Sequence, residues 1–304
     1  MHRPALKKSD STETVFHSGF VVLLGRPNVG KSTLLNTLLG EKVAPVTPKP
    51  QTTRRLLRGV LTADGYQAVF VDTPGYHRPM DELGRRMMAT TRTALADADA
   101  VLVVVDSTDC GPTDGELGDL AAGAKKPWLA AWNKIDLPDA GPLPPRLGGG
   151  DVEAFGVSAL TGAGFEALLG RLVEMLPAGP PFYDPDQLTA ETERELVGEF
   201  VREQAMLVLR EELPYALEVA LDTFEERPGG LTYIAATLFV EKKSQVGIVV
   251  GAGGSVLRGI GVRARQTVEA FLDRRVYLDL SVKVRPKWRR DPAALDGFGY
   301  GRSR

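Results

Sequence analysis

Residues Gly25 to Ser32 read GRPNVGKS and satisfy the pattern G-x-x-x-x-G-K-[ST] at every fixed position. Such a stretch can cradle phosphate: its glycines let backbone N–H groups turn inward, and a helix N-terminus behind them adds a partial positive charge. In this chain Gly25, Arg26, Pro27, Asn28, Val29 and Gly30 would wrap the phosphates, and Thr33 would continue the wrap into the first helical turn. The Lys31 ammonium would reach the β- and γ-phosphates, and the Ser32 hydroxyl would ligate Mg²⁺. The bland alternative, a glycine-containing turn from strand to helix, loses because the apolar run Phe20–Leu24 precedes the motif and the helical pattern Ser32–Leu39 follows it.

The base is read further along. Asn133-Lys134-Ile135-Asp136 closes an apolar run, and a carboxylate at Asp136 can accept from both the ring N–H and the exocyclic amine of guanine. Adenine lacks that pair of donors and would leave a buried carboxylate unpaired. Asn133 would tie this loop back to the phosphate loop, the Lys134 stem would cover one face of the base, and Ser158-Ala159 would offer backbone to the guanine oxygen. The expected ligands are therefore GTP and GDP. Asp72-Thr73-Pro74-Gly75 follows a further apolar strand; Asp72 would hold Mg²⁺ through water and the Gly75 N–H would sense the γ-phosphate. In the polar loop from Glu41 to Arg54, a threonine would complete the Mg²⁺ shell, and Thr53 is favoured over Thr52. Lys31, Thr53 and Gly75 are the residues expected to act on the reacting phosphate. The next position, Tyr76, is unsuited to act as a base at neutral pH. Slow intrinsic hydrolysis is expected, with water positioned by backbone, by a partner or by an ion such as K⁺.

The elements that must hold these residues follow from hydrophobic patterning. Strands are expected at Phe20–Leu24, Arg58–Thr62, Ala68–Asp72, Val101–Asp106, Trp128–Trp132 and Glu153–Val157, with helices between them. Near-continuous Val and Leu runs alternating with helices predict an α/β domain with a mixed, mainly parallel sheet; Asp64-Gly65 marks its one antiparallel hairpin. A helix from Phe165 to Leu176 ends at Pro177, and the proline-rich stretch that follows predicts a boundary: a first domain over 16–178, a linker over 179–188 and a second, smaller α+β domain over 189–304. In the latter a long helix from Thr189 to about Glu211 precedes two strands, Ala216–Phe224 and Leu231–Val240, then a helix and a last strand, Val276–Val284. The stretch Leu137–Gly150, rich in Pro and Gly, reads as a surface loop without an assigned role.

The formal net charge of −2 conceals an asymmetry. Residues 241–304 hold 14 basic against 6 acidic side chains, a balance of +8, which leaves −10 for residues 1–240. A basic end on an acidic body suits contact with a polyanion through one part of the molecule. One cysteine, Cys110, excludes an intramolecular disulfide and a cysteine-rich zinc site, and no apolar run approaches a membrane-spanning length. A cytoplasmic protein is expected. Within the basic end, Gly251-Ala252-Gly253-Gly254 forms G-x-x-G, a loop that in a KH domain lets a nucleic-acid backbone approach closely. Gly251, Ala252, Gly253, Gly254, Arg258, Arg263 and Lys283 are the candidate RNA contacts. Met87, Met88 and Met206 fit core positions, His77 a polar loop, and Trp288 packing in preference to base stacking.

Taken together, the phosphate-loop motifs, Glu211-Glu212-Leu213-Pro214-Tyr215, the G-x-x-G and the end VKVRPKWRRDPAALDGFGY resemble the Era family of bacterial GTPases from about Phe16 to Tyr300. The resemblance implies a GTPase joined to a type II KH domain, binding to the 3′ end of small-subunit ribosomal RNA, a role in assembly of the small ribosomal subunit, a monomer, and peripheral contact with the inner membrane face. One departure is that Ala252 and Gly253 stand where a basic residue is usual, so neighbours such as Arg258 must meet the RNA backbone. Two other readings compete: an RNA chaperone whose nucleotide site is structural, and a sister GTPase acting in tRNA modification or on membranes, which the G-x-x-G domain ranks last.

Overall fold

The structure is a computed structural model and describes residues 15–144 and 146–301. Six strands form the first sheet: β1 (His17–Leu24), β2 (Leu57–Ala63), β3 (Tyr66–Asp72), β4 (Ala100–Asp106), β5 (Trp128–Asn133) and, beyond a two-residue pair β6 (Arg146–Leu147) and β7 (Gly150–Asp151), β8 (Ala154–Val157). Their spatial order is β2-β3-β1-β4-β5-β8, with every pairing parallel except β2 with β3 across the Asp64-Gly65 turn. The expected mainly parallel α/β sheet is present.

Alternation within the strands divides the core between the two faces. Val21 and Leu23 pack under α1 (Lys31–Leu39) and α4 (Phe165–Met175), whereas Val22 and Leu24 pack under α2 (Glu82–Asp97) and α3 (Pro112–Gly123). The loop Leu137–Gly150 has a structural part: the β6–β7 hairpin inserts buried Leu147 against α3, where a side chain on Gly118 would stand 2.6 Å from the Leu147 carbonyl.

The proline-rich stretch after α4 is a fastened strap, not a free linker. Ser18 Oγ donates to the Pro180 carbonyl at 2.7 Å, and Gln67 Oε1 accepts from the N–H groups of Phe182 and Tyr183. Val60 N–H donates to the Leu188 carbonyl, and Thr189 bridges Gly59. Because residues 189–191 are held against β2, the following helix α5 (Glu193–Val208) starts later than the periodicity suggests, at a Thr192 cap closed by Glu195.

The second unit continues with α6 (Leu213–Ala216), β9 (Glu218–Arg227), β10 (Leu231–Val240), α7 (Lys243–Val250), α8 (Ser255–Leu272), β11 (Arg275–Val284) and α9 (Pro292–Gly297). Its sheet is β11-β10-β9, with β10 antiparallel to β9 and parallel to β11. The hairpin turn is tighter than expected: Glu225, Glu226 and Arg227 continue β9, so only Pro228-Gly229-Gly230 turn. Two pairings between distant elements had no sequence signal. Leu196, Val197 and Phe200 of α5 share one core with α1 and α4, and Trp288, Leu295, Phe298 and Tyr300 near the chain end pack on Leu83, Met87 and Met88 of α2.

Candidate functional site

Strand β1 delivers the chain to the phosphate loop, and α1 starts at Lys31 directly behind Gly30, whose φ is 102°. Only a residue without Cβ suits that conformation, and here a Cβ would also lie 2.3 Å from Asn133 Nδ2. No side chain caps α1, so its first N–H groups remain available to a ligand. The loop opens on a cavity of about 290 Å³ lined by Pro27, Asn28, Gly30, Lys31, Ser32 and Thr33 on one side and by Thr53, Gly75 and Lys134 on others. Lys31 is buried, its Nζ 3.0 Å from the Gly25 and Arg26 carbonyls. Burial lowers its pKa from 10.5 to about 8, against the opposing pull of the Asp72 carboxylate.

Three oxygens from separate elements converge beside Lys31. Ser32 Oγ donates to Asp72 Oδ2 at 2.6 Å, and Thr53 Oγ1 lies 2.9 Å from Ser32 Oγ and 3.2 Å from Asp72 Oδ2. Asp72 is fully buried, its other oxygen Oδ1 has no partner, and burial pushes its carboxyl above the ordinary range despite Lys31, Ser32 and Thr53. One carboxylate with two hydroxyls, next to a phosphate loop, fits a Mg²⁺ ion that takes its remaining ligands from phosphate and water. Among the described residues no cluster of three His, Cys, Asp or Glu offers an alternative metal cage. Thr52 is turned elsewhere: its hydroxyl bonds Thr47 Oγ1 at 2.6 Å and the Lys49 carbonyl at 2.7 Å, inside its own loop.

Asn133 ties three loops together. Its Nδ2 donates to the Val29 carbonyl at 2.7 Å, and its Oδ1 accepts from Ala159 N–H at 2.8 Å, which fixes Ser158-Ala159 beside the phosphate loop. Lys134 donates to Asp106. Asp136 is exposed at the turn after β5 and not buried as expected; an incoming base would cover it. Thr73 Oγ1 donates to the Leu23 carbonyl at 2.6 Å, which holds Thr73-Pro74-Gly75 against β1. A Cβ on Gly75 would lie 2.7 Å from Pro27 N, and Tyr76 N–H donates to the Gly25 carbonyl, so this loop presses on the phosphate loop. The Tyr76 side chain packs with the α2 and chain-end clusters and does not line the cavity. His77 bonds the Gly75 carbonyl, Met87, Met88 and Met206 are core, and Arg26 turns outward to Asp109 and buried Asp114.

In the second unit, Gly251, Ala252, Gly253 and Gly254 form the bend between α7 and α8, with positive φ at all three glycines. Gly254 at the start of α8, with Leu257, Arg258, Gly261 and Arg265 of the helix, faces Leu278 and Leu280 of β11 across an open groove of about 340 Å³. Arg265 and not Arg263 shares the helix face with Arg258, as a spacing of seven residues requires and as period 3.6 could have told. Lys283 is likewise displaced: alternation along β11 puts it on the face opposite Leu278 and Leu280. Trp288 is fully buried, its Nε1 donating to the Ala216 carbonyl at 2.9 Å, so it packs and does not stack bases.

The parallel sheet, the phosphate loop with its three-oxygen cluster and the G-x-x-G unit define a P-loop GTPase carrying a C-terminal KH domain. Two family models agree, "50S ribosome-binding GTPase" over residues 20–134 and "KH domain" over residues 212–289. GTPase Era of Nostoc sp. is 42% identical over 292 residues, covering 94% of this chain and 90% of that protein. GTPase Era of Geotalea uraniireducens is 41% identical, covering 95% and 99%. The crystal structure of a tyrosine-to-alanine variant of Aquifex aeolicus Era bound to GDP·AlF4⁻ superposes with a TM-score of 0.88 at 36% identity, covering 94% of this chain and 100% of that one. A second crystal structure, Era with MgGDPNP and nucleotides 1506–1542 of 16S ribosomal RNA, gives 0.86 at 35% identity, covering 94% and 99%. The chain belongs to the Era family of GTPases.

Proposed function

We propose that this GTPase is a switch that binds the 3′ end of small-subunit ribosomal RNA through its KH groove and assists assembly of the small ribosomal subunit, with hydrolysis of GTP to GDP ending each engagement. The single observation behind a switch is that the loop carrying Thr53 toward Ser32 and Asp72 is bonded over much of its length to the KH unit, through Glu203, Arg202 and Glu218. A nucleotide that orders this loop therefore changes what the RNA-binding unit leans on, which a purely structural nucleotide site does not need. RNA binding is supported by the complex of the Era relative with a 16S ribosomal RNA fragment, and the groove beside the G-x-x-G is the place proposed for it here.

In this reading Ser32, Thr53 and Asp72 hold Mg²⁺, which when bound neutralises charge on the β- and γ-phosphates. Lys31 contacts the same phosphates, the α1 N-terminus and the backbone of residues 25–30 cradle them, and Gly75 N–H meets the γ-phosphate. Asp136 accepts the guanine N–H pair, while Asn133 holds the phosphate loop and Ser158-Ala159 in register. Tyr76, packed away from the cavity, leaves the attacking water to backbone, a partner or K⁺. Residues 16–178 and 189–304 are the proposed domains, and Gly254, Arg258 and Arg265 the proposed RNA face. Peripheral membrane contact belongs to the proposal through family resemblance; among the described residues no single helix is long and apolar enough to cross a membrane.

The test is binding of a 16S 3′-end oligonucleotide in the GTP-analogue and GDP states. Affinity should differ at least several-fold between states, fall steeply with salt, and collapse when Gly251 and Gly254 are both replaced by Asp. Equal affinity in both states would leave only the chaperone reading; unchanged binding by the Asp variant would remove the KH assignment.

A further inference from the structure

Arg202 lies in α5, outside the nucleotide-binding half of the chain, and is only 1% exposed. Its Nη2 donates to the Thr52 carbonyl at 2.7 Å. That carbonyl belongs to the same planar peptide unit as Thr53 N and Cα, so holding the oxygen fixes the plane from which the Thr53 side chain projects. On the other side of Thr53, the fully buried Arg54 guanidinium donates to the carbonyls of Pro214, Tyr215 and Leu217 at 3.2, 3.1 and 2.6 Å and to Glu218 Oε2 at 3.0 Å. Thr53 is thereby suspended between two anchors one residue away on either side, and both anchors are made by the KH unit.

This arrangement is a poor choice for stability alone. Arg202 Nε and Arg54 Nε are buried without partners. Arg202 has Glu199 one turn earlier and Met206 Sδ at 3.6 Å, surroundings in which apolar side chains of similar volume would avoid the desolvation of two ions. What the apolar replacement could not supply is a donor aimed at the Thr52 carbonyl.

We infer that Arg202 is a positioning residue for the GTP-bound site: by clamping the Thr52–Thr53 peptide it sets Thr53 Oγ1 where Ser32 and Asp72 meet, so that a side chain of the KH unit holds in place the hydroxyl that completes the Mg²⁺ shell of the nucleotide unit. The inference rests on the role proposed above for Thr53. Because GDP has no γ-phosphate and does not require this loop to be ordered, the clamp acts on the triphosphate state and not on the diphosphate state. It also makes the effect reciprocal, since whatever pulls α5 away from Thr52 weakens Mg²⁺·GTP by the factor that Mg²⁺·GTP resists the pull.

The experiment uses the full chain and follows dissociation of a fluorescent non-hydrolysable GTP analogue and of fluorescent GDP across a Mg²⁺ series, beside single-turnover hydrolysis. Arg202→Met with Glu199→Gln removes the clamp without orphaning a charge. It should release the GTP analogue about tenfold faster at limiting Mg²⁺, the scale of a hydrogen bond to a charged group, and shift half-saturation to higher Mg²⁺, with GDP release unchanged. Arg202→Lys, which restores a charged donor, should recover part of the effect. Arg202→Gln is read in the same way if the double variant does not fold. Thr53→Ala measured alongside separates the two claims. If Thr53→Ala shows the Mg²⁺ defect and the Arg202 variants match the wild type, the positioning role is overturned. If Thr53→Ala itself behaves as wild type, the proposed metal ligand is wrong and the inference falls with it.

Discussion

The Tyr300 hydroxyl donates to Glu218 Oε2 at 2.8 Å, and both residues are buried. The same carboxylate takes Arg54 Nη1 at 3.0 Å and lies 3.6 Å from Arg55, whose guanidinium also stacks 4.8 Å from the Tyr300 ring. The end of the chain, the first strand of the KH sheet and the loop that follows Thr53 therefore meet at one carboxylate, while neighbouring Leu295 and Phe298 lie against α2.

Tyr300→Phe keeps the ring and removes the hydrogen bond to a buried charged group, so it should cost about 1.5–3 kcal/mol in urea unfolding. Arg54 and Arg55 remain on Glu218, so nucleotide affinity should change less than stability. A loss below about 0.5 kcal/mol would show that Glu218 is already satisfied by its two arginines.

Lys31 links nucleotide binding to pH. Its pKa is lowered to about 8 in the free protein by burial, and phosphate oxygens brought against it favour the charged form. Binding should therefore take up a proton above pH 8, and affinity for GTP and GDP should fall as pH rises past that point. Calorimetry in two buffers of different ionisation enthalpy measures the uptake; none should be seen with Lys31→Met.

The same shift has a stability side. A lysine whose folded pKa lies below its unfolded value binds fewer protons folded than unfolded between about 8 and 10.5, so its contribution makes the nucleotide-free protein more stable as pH rises through that window. Lys31→Met should flatten this part of the stability–pH curve relative to wild type. An unchanged slope would mean that the ammonium is solvated in the free state.

Asn133→Ala removes the bonds to Val29 and Ala159 that hold the phosphate loop against Ser158-Ala159. GTP and GDP should both bind at least tenfold more weakly, on the scale of two buried hydrogen bonds, because the contacts are common to both states. A defect confined to GTP would place Asn133 with the γ-phosphate machinery instead.

Leu147→Ala tests the loop between Leu137 and Gly150. Truncating a buried leucine on α3 should destabilise by about 2–4 kcal/mol, with GTP hydrolysis by the folded protein unaltered.

The sequence by itself determined the nucleotide half. Phosphate binding is backbone chemistry bound to short contiguous motifs, so GRPNVGKS, Asp72-Thr73-Pro74-Gly75 and Asn133-Lys134-Ile135-Asp136, each at the end of an apolar strand, specify residue types and order without knowledge of the fold. The strands themselves were legible because a sheet buried on both faces leaves near-continuous Val and Leu runs, and the KH unit because G-x-x-G at 251–254 stands between a strand pair and a last strand. Tertiary structure alone decided which groups serve across long separations. The roles of Arg54, Arg202 and Glu218 have no signal in the sequence, since nothing local distinguishes a buried arginine from an exposed one; the pairs Thr52–Arg202 and Arg54–Glu218 are 150 residues or more apart. The preference for Thr53 over Thr52 was stated from the sequence, but its physical reason lies in the fold. Adjacent residues in an irregular loop have no fixed period, so which hydroxyl faces Ser32 and Asp72 depends on how the KH unit grips the backbone on either side.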